Sequence, residues 1–130
     1  MTYKICVVGA GYWGKNHIET LNKMGALGGI VDSNNSVTNL LSKQYPDISF
    51  YKSVNDALED EYDGFIVATP AESHFKVSRE IIKMRKHLLI EKPMTLSVED
   101  AEDLISLAER NNVNMMVGHV LLFHPAISKI

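Results

Sequence analysis

The chain has 130 residues, 45% of them hydrophobic and 22% charged, enough for one domain with its own apolar core. Thirteen Lys and Arg against sixteen Asp and Glu give a formal charge of -3 without a basic tract, which argues against a nucleic-acid partner. No apolar run reaches the roughly 20 residues that span a bilayer, no signal-peptide pattern opens the chain, and the single Cys6 excludes an intramolecular disulfide, so the expectation is a cytoplasmic protein without a membrane partner.

Tyr3 to Val8 is rich in β-branched residues and reads as a first strand, with Cys6 as a small buried hydrophobe. It runs into Gly9-Ala10-Gly11-Tyr12-Trp13-Gly14. A helix follows over Trp13 to Lys23, with Ile18, Leu21 and Met24 turned to the sheet and Gly25 as its stop. A second apolar run, Leu27 to Val31, ends on Asp32. The cluster Ser33-Asn34-Asn35-Ser36 offers caps for a second helix whose buried stripe is Val37, Leu40, Leu41 and Tyr45, closed by Pro46. Ile48 to Tyr51 is a short third strand.

Ser53 and Asp56 have capping-box spacing and open a short helix through Ala57 and Leu58, followed by the solvated acidic patch Glu59-Asp60-Glu61. Asp63 to Ala68 is the fourth strand and delivers Thr69-Pro70. A helix from about Ser73 to Arg85 carries Phe75, Val77, Ile81, Ile82 and Met84, and its basic end suits a helix C-terminus. Leu88 to Ile90 is strand five, leading to Glu91-Lys92-Pro93. Ser97 and Asp100 begin a helix with Ala101, Leu104, Ile105 and Ala108 inward, Asn111-Asn112 end it, and Val113 to Val117 is strand six before Gly118-His119. Near-continuous apolar strands separated by helices imply an α/β fold, a mostly parallel six-stranded sheet buried on both faces between two helical layers.

Strand, glycine turn, helix, strand and acid form the first half of a dinucleotide-binding unit. Gly9 permits the turn, Gly11 lets backbone approach a pyrophosphate, and Gly14 lets the helix pack tightly on the sheet. The open N–H groups and the dipole of the helix then face the phosphates. Asp32 lies 18 positions beyond Gly14, suited to accept from the adenosine ribose hydroxyls. The competing reading is a glycine-rich turn in an unrelated α/β protein. A carboxylate at Asp32 repels a 2'-phosphate and its neighbours Ser33 and Asn34 add no positive charge, which favours NAD over NADP.

Ligands of an open parallel sheet gather at the carboxyl ends of its strands, which singles out Gly9 to Gly14, Asp32, Thr69-Pro70, Glu91-Lys92-Pro93 and Gly118-His119. Lys92 can donate to a substrate hydroxyl or carbonyl; the alternative is a solubilising surface lysine. Glu91 can pair with Lys92 or accept from a ribose hydroxyl, and Pro93 fixes the turn. His119 has either a proton-transfer role or a supporting one, and His74 is either a ligand contact or a surface helix position. Trp13 packs over the phosphate loop or a partner domain, or fills the core. His17 and His87 read as surface residues. His119 and His124 lack zinc spacing, so no metal is expected.

In order, Gly9-Ala10-Gly11-Tyr12-Trp13-Gly14, Ala68-Thr69-Pro70 with His74, Glu91-Lys92-Pro93 and Gly118-His119 resemble the N-terminal domain of the glucose-fructose oxidoreductase / inositol dehydrogenase / rhizopine-catabolism family. The resemblance covers essentially the whole chain. The Tyr-Trp-Gly turn and the Gly-His-Val-Leu-Leu-Phe-His-Pro end look most like members that oxidise nucleotide-linked sugars such as UDP-N-acetylaminosugars. It implies a three-layer Rossmann fold over residues 1–119 and, in 120–130, the start of a connection to a missing α/β substrate domain. It also implies Lys92 beside the nicotinamide and substrate, Glu91 near the nicotinamide ribose, Thr69-Pro70 along the cofactor, and the helix opened near His74 completing that wall. The full-length protein is then expected to be a homo-oligomeric dehydrogenase of a sugar or nucleotide sugar, the fragment alone inactive. Two departures stand out: Ala71 where Asn is frequent, and Leu122 where Arg is frequent before Phe123. A module that binds NAD without redox turnover would need the glycines and Asp32 but not Lys92, and a dehydrogenase of small acids or amino acids would carry a different substrate domain.

Overall fold

The computed structural model describes residues 3–119. In chain order these form β1 (Ile5–Val8), α1 (Tyr12–Met24), β2 (Leu27–Val31), α2 (Asn35–Gln44), β3 (Ser49–Tyr51), α3 (Val54–Leu58), β4 (Gly64–Val67), a 3-10 turn (Ala71–Ser73), α4 (His74–Lys83), β5 (His87–Ile90), α5 (Val98–Arg110) and β6 (Met115–Val117). The sheet order is β3-β2-β1-β4-β5-β6 and all five pairings are parallel. This is the expected three-layer Rossmann fold, whose strand order reverses between β1 and β4. The segment 120–130, with Leu122 and the expected domain connection, lies outside the described residues.

Alternation along β1 divides the core. Cys6 and Val8 pack with Ile81 and Ile82 of α4 and Leu104 and Ala108 of α5, while Val7 packs with Ile18 and Leu21 of α1 and Leu41 of α2. The helices start where the sequence offers acceptors: Asn34 Oδ1 takes the Ser36 N–H at 2.9 Å, Ser53 Oγ the Asp56 N–H at 3.4 Å, and Ser97 Oγ the Asp100 N–H at 3.1 Å. No described helix is long and apolar enough to cross a membrane.

Several expected core residues face solvent instead. Met24 is 67% exposed, Leu40 63%, Met84 52% and Ile105 45%. A three-residue step falls about 60° short of a full helical turn, so the α1 stripe Gly14, Ile18, Leu21 has drifted off the sheet by Met24. Leu40 and Ile105 each adjoin a buried leucine, Leu41 and Leu104, and sit about 100° round the helix from it. Met84 lies past the last turn of α4. Among the described residues, Ile66, Leu89 and Met116 line an open apolar groove beside Leu21 on the α1 side of β4, β5 and β6.

The paired glycines of β2 make room for Tyr62, which is 2% exposed, packs edge-on against Phe65 and Tyr51, and shares a 2.7 Å hydroxyl contact with Tyr51. The Tyr51 hydroxyl also donates to Asp60, so one member of the acidic patch is an anchor and not simply solvated. A Cβ on Gly29 would stand 2.3 Å from the Tyr62 hydroxyl oxygen; on Gly28 its nearest neighbour would be the flexible Lys4 side chain. Gly29→Ala is therefore expected to destabilise the fold by about 1–3 kcal/mol through overpacking, and Gly28→Ala by less, as measured by urea denaturation.

Burial pushes the Cys6 thiol up to about 12, from 9.0. Below pH 9 the thiol is protonated in both states. Above it the unfolded chain loses the proton first, so stability falls as pH rises from 9 towards about 12, by up to ~1.4 kcal/mol per unit from this group. The urea midpoint of Cys6→Ala, followed from pH 8 to 10.5, is expected to fall less steeply than that of the wild type. The raised tyrosines, Tyr51 and Tyr62, remain in both proteins.

Candidate functional site

All carboxyl ends of the sheet open on one edge because every strand runs the same way. The parallel ladder continues one step past the strands: Gly9 N–H donates to Val31 O at 2.7 Å, Ala68 N–H to Val8 O at 2.8 Å, Glu91 N–H to Val67 O at 2.9 Å and Gly118 N–H to Ile90 O at 2.8 Å. These bonds bring together the glycine turn, Asp32, Thr69-Pro70, Glu91-Lys92-Pro93 and Gly118-His119.

Gly9 has φ +98°, and a Cβ there would come within 2.7–2.8 Å of the Ala68 and Thr69 backbone. Gly14 is close-packed too, but against the turn and not the sheet: its Cβ would stand 1.8 Å from the Gly9 carbonyl oxygen. Gly11 differs from both. Nothing lies within 4 Å of a Cβ placed on it, and it is the N-cap of α1 with no side chain bonding to the helix start. The start of α1 thus carries the positive end of the helix dipole with no side-chain cap and with room beside Gly11. Tyr12 and Trp13 flank this start, 79% and 48% exposed, as an edge-to-face pair with centroids 5.6 Å apart, which removes the core-filling reading of Trp13.

Asp32 is half-buried, with Oδ2 accepting the Ala10 N–H at 2.9 Å and Oδ1 the Asn34 N–H at 2.8 Å. It ties the glycine turn to the loop before α2, and each oxygen keeps a lone pair for a further donor. Ser33 beside it is exposed.

Glu91 is buried at 7% exposure and does not pair with Lys92. Its Oε1 lies 2.6 Å from Nε2 of His17 on α1, and Gly118 leaves room for the carboxylate, since a Cβ there would lie 3.0 Å from Oε1. His17 is therefore not the surface residue expected. Its position three residues after Gly14 and one before Ile18, along the buried side of α1, was the signal available in the sequence. Lys92 is exposed and makes no ion pair among the described residues; the bond from Lys92 to Pro93 is cis.

His74 is 1% exposed, so the surface reading of it does not hold. Its Nδ1 lies 2.7 Å from the Pro93 carbonyl oxygen and its Nε2 2.8 Å from that of Thr69. Carbonyl oxygens only accept, so the nitrogen that carries the ring proton donates to the carbonyl it faces. The Ser73 hydroxyl further donates to the Pro70 carbonyl at 2.9 Å and lies 2.6 Å from Thr69 Oγ1. His87 is exposed as expected, and its Nδ1 accepts the Asn114 N–H at 3.0 Å. His119 is exposed just past β6. Among the described residues no group of three or more His, Cys, Asp or Glu could hold a metal ion.

Residues 3–119 match the family model described as "Oxidoreductase family, NAD-binding Rossmann fold", GFO_IDH_MocA. The chain belongs to that family. As the GFO_IDH_MocA NAD-binding domain it is 32% identical over 126 residues to UDP-N-acetylglucosamine 3-dehydrogenase of Acidithiobacillus ferrooxidans, covering 93% of this chain and 38% of that protein. The solved structure of that enzyme superimposes with a TM-score of 0.90 at 30% identity, covering 99% of this chain and 41% of the other. Glucose-6-phosphate 3-dehydrogenase of Bacillus subtilis is 33% identical over 117 residues, 88% of this chain and 33% of its own length. GenD2 of gentamicin A biosynthesis, solved in complex with NAD, superimposes with a TM-score of 0.84 at 28% identity over 90% of this chain and 34% of that one. The chain thus spans about two fifths or less of the proteins it matches.

The two inner glycines of the family's turn separate cleanly by geometry. Gly14→Ala is expected to cost at least ~2 kcal/mol, because the obstructing atom is backbone. Gly11→Ser should leave stability unchanged or raise it by a few tenths of a kcal/mol, because serine caps a helix start that has room for it. Thermal unfolding of the two variants checks both expectations.

Proposed function

We propose that the chain is the cofactor domain of an NAD-dependent dehydrogenase acting on a hydroxyl of a sugar or nucleotide-linked sugar. One observation carries the reading: the uncapped start of α1, the Asp32 carboxylate and the exposed Lys92 share one sheet edge. Two relatives of this chain are named 3-dehydrogenases, of UDP-N-acetylglucosamine and of glucose 6-phosphate, which supports the sugar class.

The residues fit the dinucleotide. The space over Gly11 admits a diphosphate against the α1 N–H groups, with Tyr12, Trp13 and Gly14 completing that turn. Asp32, with Ser33 beside it, receives the adenosine ribose and disfavours a 2'-phosphate. Thr69, Pro70 and the wall tied by His74 run along the cofactor towards Glu91, Lys92 and Pro93. NAD, when bound, supplies the redox chemistry at its nicotinamide ring. Lys92 donates a hydrogen bond to the sugar oxygen and stabilises the negative charge that develops there. His119 is assigned to the substrate side. In this reading a further domain supplies the sugar pocket and the contacts of a homo-oligomer.

The test uses the full-length protein. NAD is expected to bind at least tenfold more tightly than NADP, and Gly11→Ser to weaken NAD at least tenfold while the protein stays folded. A screen of UDP-sugars and sugar phosphates should then yield turnover that Lys92→Ala lowers about 10²–10⁴-fold with the NAD Kd kept within about threefold. Failure to bind NAD at millimolar concentration overturns the reading. Full turnover by Lys92→Ala removes the role given to that lysine, and NAD binding without turnover of any sugar favours a module that binds NAD without redox chemistry.

A further inference from the structure

Lys92 stands between two residues that are each fastened to a histidine. On one side the Glu91 carboxylate, buried over Gly118, takes Nε2 of His17 from α1 at 2.6 Å. On the other, Nδ1 of His74 from α4 lies 2.7 Å from the Pro93 carbonyl oxygen, and Nε2 of the same ring lies 2.8 Å from Thr69 O. The two helices pack on opposite faces of the sheet, α1 with Val7 and Ile30 and α4 with Cys6, Val67 and Ile90. The turn is therefore gripped from both layers, while Lys92 itself is exposed.

We propose that His17 and His74 are positioning residues for Lys92, a two-sided tie that sets the turn Glu91–Pro93 against the glycine turn and the end of β4. The proposal rests on the reading that Lys92 faces the nicotinamide half of NAD. A lysine side chain is a flexible four-carbon stem carrying a point charge, so the place its amine reaches is decided by where its backbone is held. Each tie fixes a different neighbour of that backbone. His17 joins it to the helix whose start meets the diphosphate, so cofactor and lysine share one frame. His74 joins it to Thr69, on the wall along which the cofactor lies. Neither ring reaches the cofactor in this account. Both act through the turn.

The test follows acylation of Lys92 by acetic anhydride, read by peptide mass spectrometry, in the full-length protein without ligand, with saturating NAD and with saturating ADP-ribose. ADP-ribose carries the diphosphate and both riboses but no nicotinamide. In the wild type NAD is expected to slow labelling of Lys92 at least tenfold and ADP-ribose less than twofold. In His17→Phe and His74→Phe, which keep an aromatic ring and lose every ring N–H, NAD protection should fall below threefold although the Kd for ADP-ribose stays within about threefold of wild type. His17→Gln and His74→Gln, which keep an amide NH2 donor group, should recover part of the protection, and they stand in for any Phe variant that does not fold. Wild-type protection that survives unchanged in the histidine variants overturns the tie and leaves the reading of Lys92 standing. So does an ADP-ribose affinity that falls in step with the protection, since that is the mark of a general loss of structure. Absence of NAD protection in the wild type overturns the reading of Lys92, and the tie with it.

Discussion

Everything at the functional edge depends on how closely the first turn of α1 lies on the glycine turn before it. The Gly9 carbonyl oxygen occupies the place where a side chain on Gly14 would begin, and Gly9 in turn lies against the backbone of Ala68 and Thr69. The end of β1, the start of α1 and the end of β4 are stacked with no room for a methyl group. This contact sets the start of α1, which no side chain caps, at the edge. With side chains at these two positions the helix would have to move outward, and the concave, positively polarised mouth would be lost.

Two carboxylates at strand ends show how environment separates like groups. Asp32 stays half-exposed and is held by two backbone N–H groups, so its charge is oriented while spare lone pairs face outward. Glu91 is turned inward over Gly118 to an imidazole, because a buried carboxylate is costly without a close donor. One stays partly open to solvent and the other holds the chain. The same division applies to Lys92, free in solvent, and His74, closed off between two carbonyls.

The order of elements, the parallel sheet and the helix starts were legible because each rests on local chemistry: glycine spacing, Ser and Asn acceptors, short apolar runs. So was the set of strand ends, since topology alone delivers them to one edge. What could not be read was partnership across the sheet. His17 and Glu91 are 74 positions apart, and His74 and Pro93 are 19 apart, so neither pair leaves a local pattern. Nor does a local pattern link Gly28-Gly29 to Tyr62, which comes from a loop more than 30 positions on and fills the space beside them. Met24, Leu40 and Ile105 face solvent because a helix lying on a sheet buries a narrower arc than its apolar residues cover.

The exposed aromatic pair at the start of α1 has a practical consequence. Trp13 is the single tryptophan of the 130 residues, and it sits half open to solvent within the glycine turn. Within these 130 residues the indole emission therefore comes from one place. The chain carries its own optical probe of that mouth, and occupancy there can be followed without attaching a label.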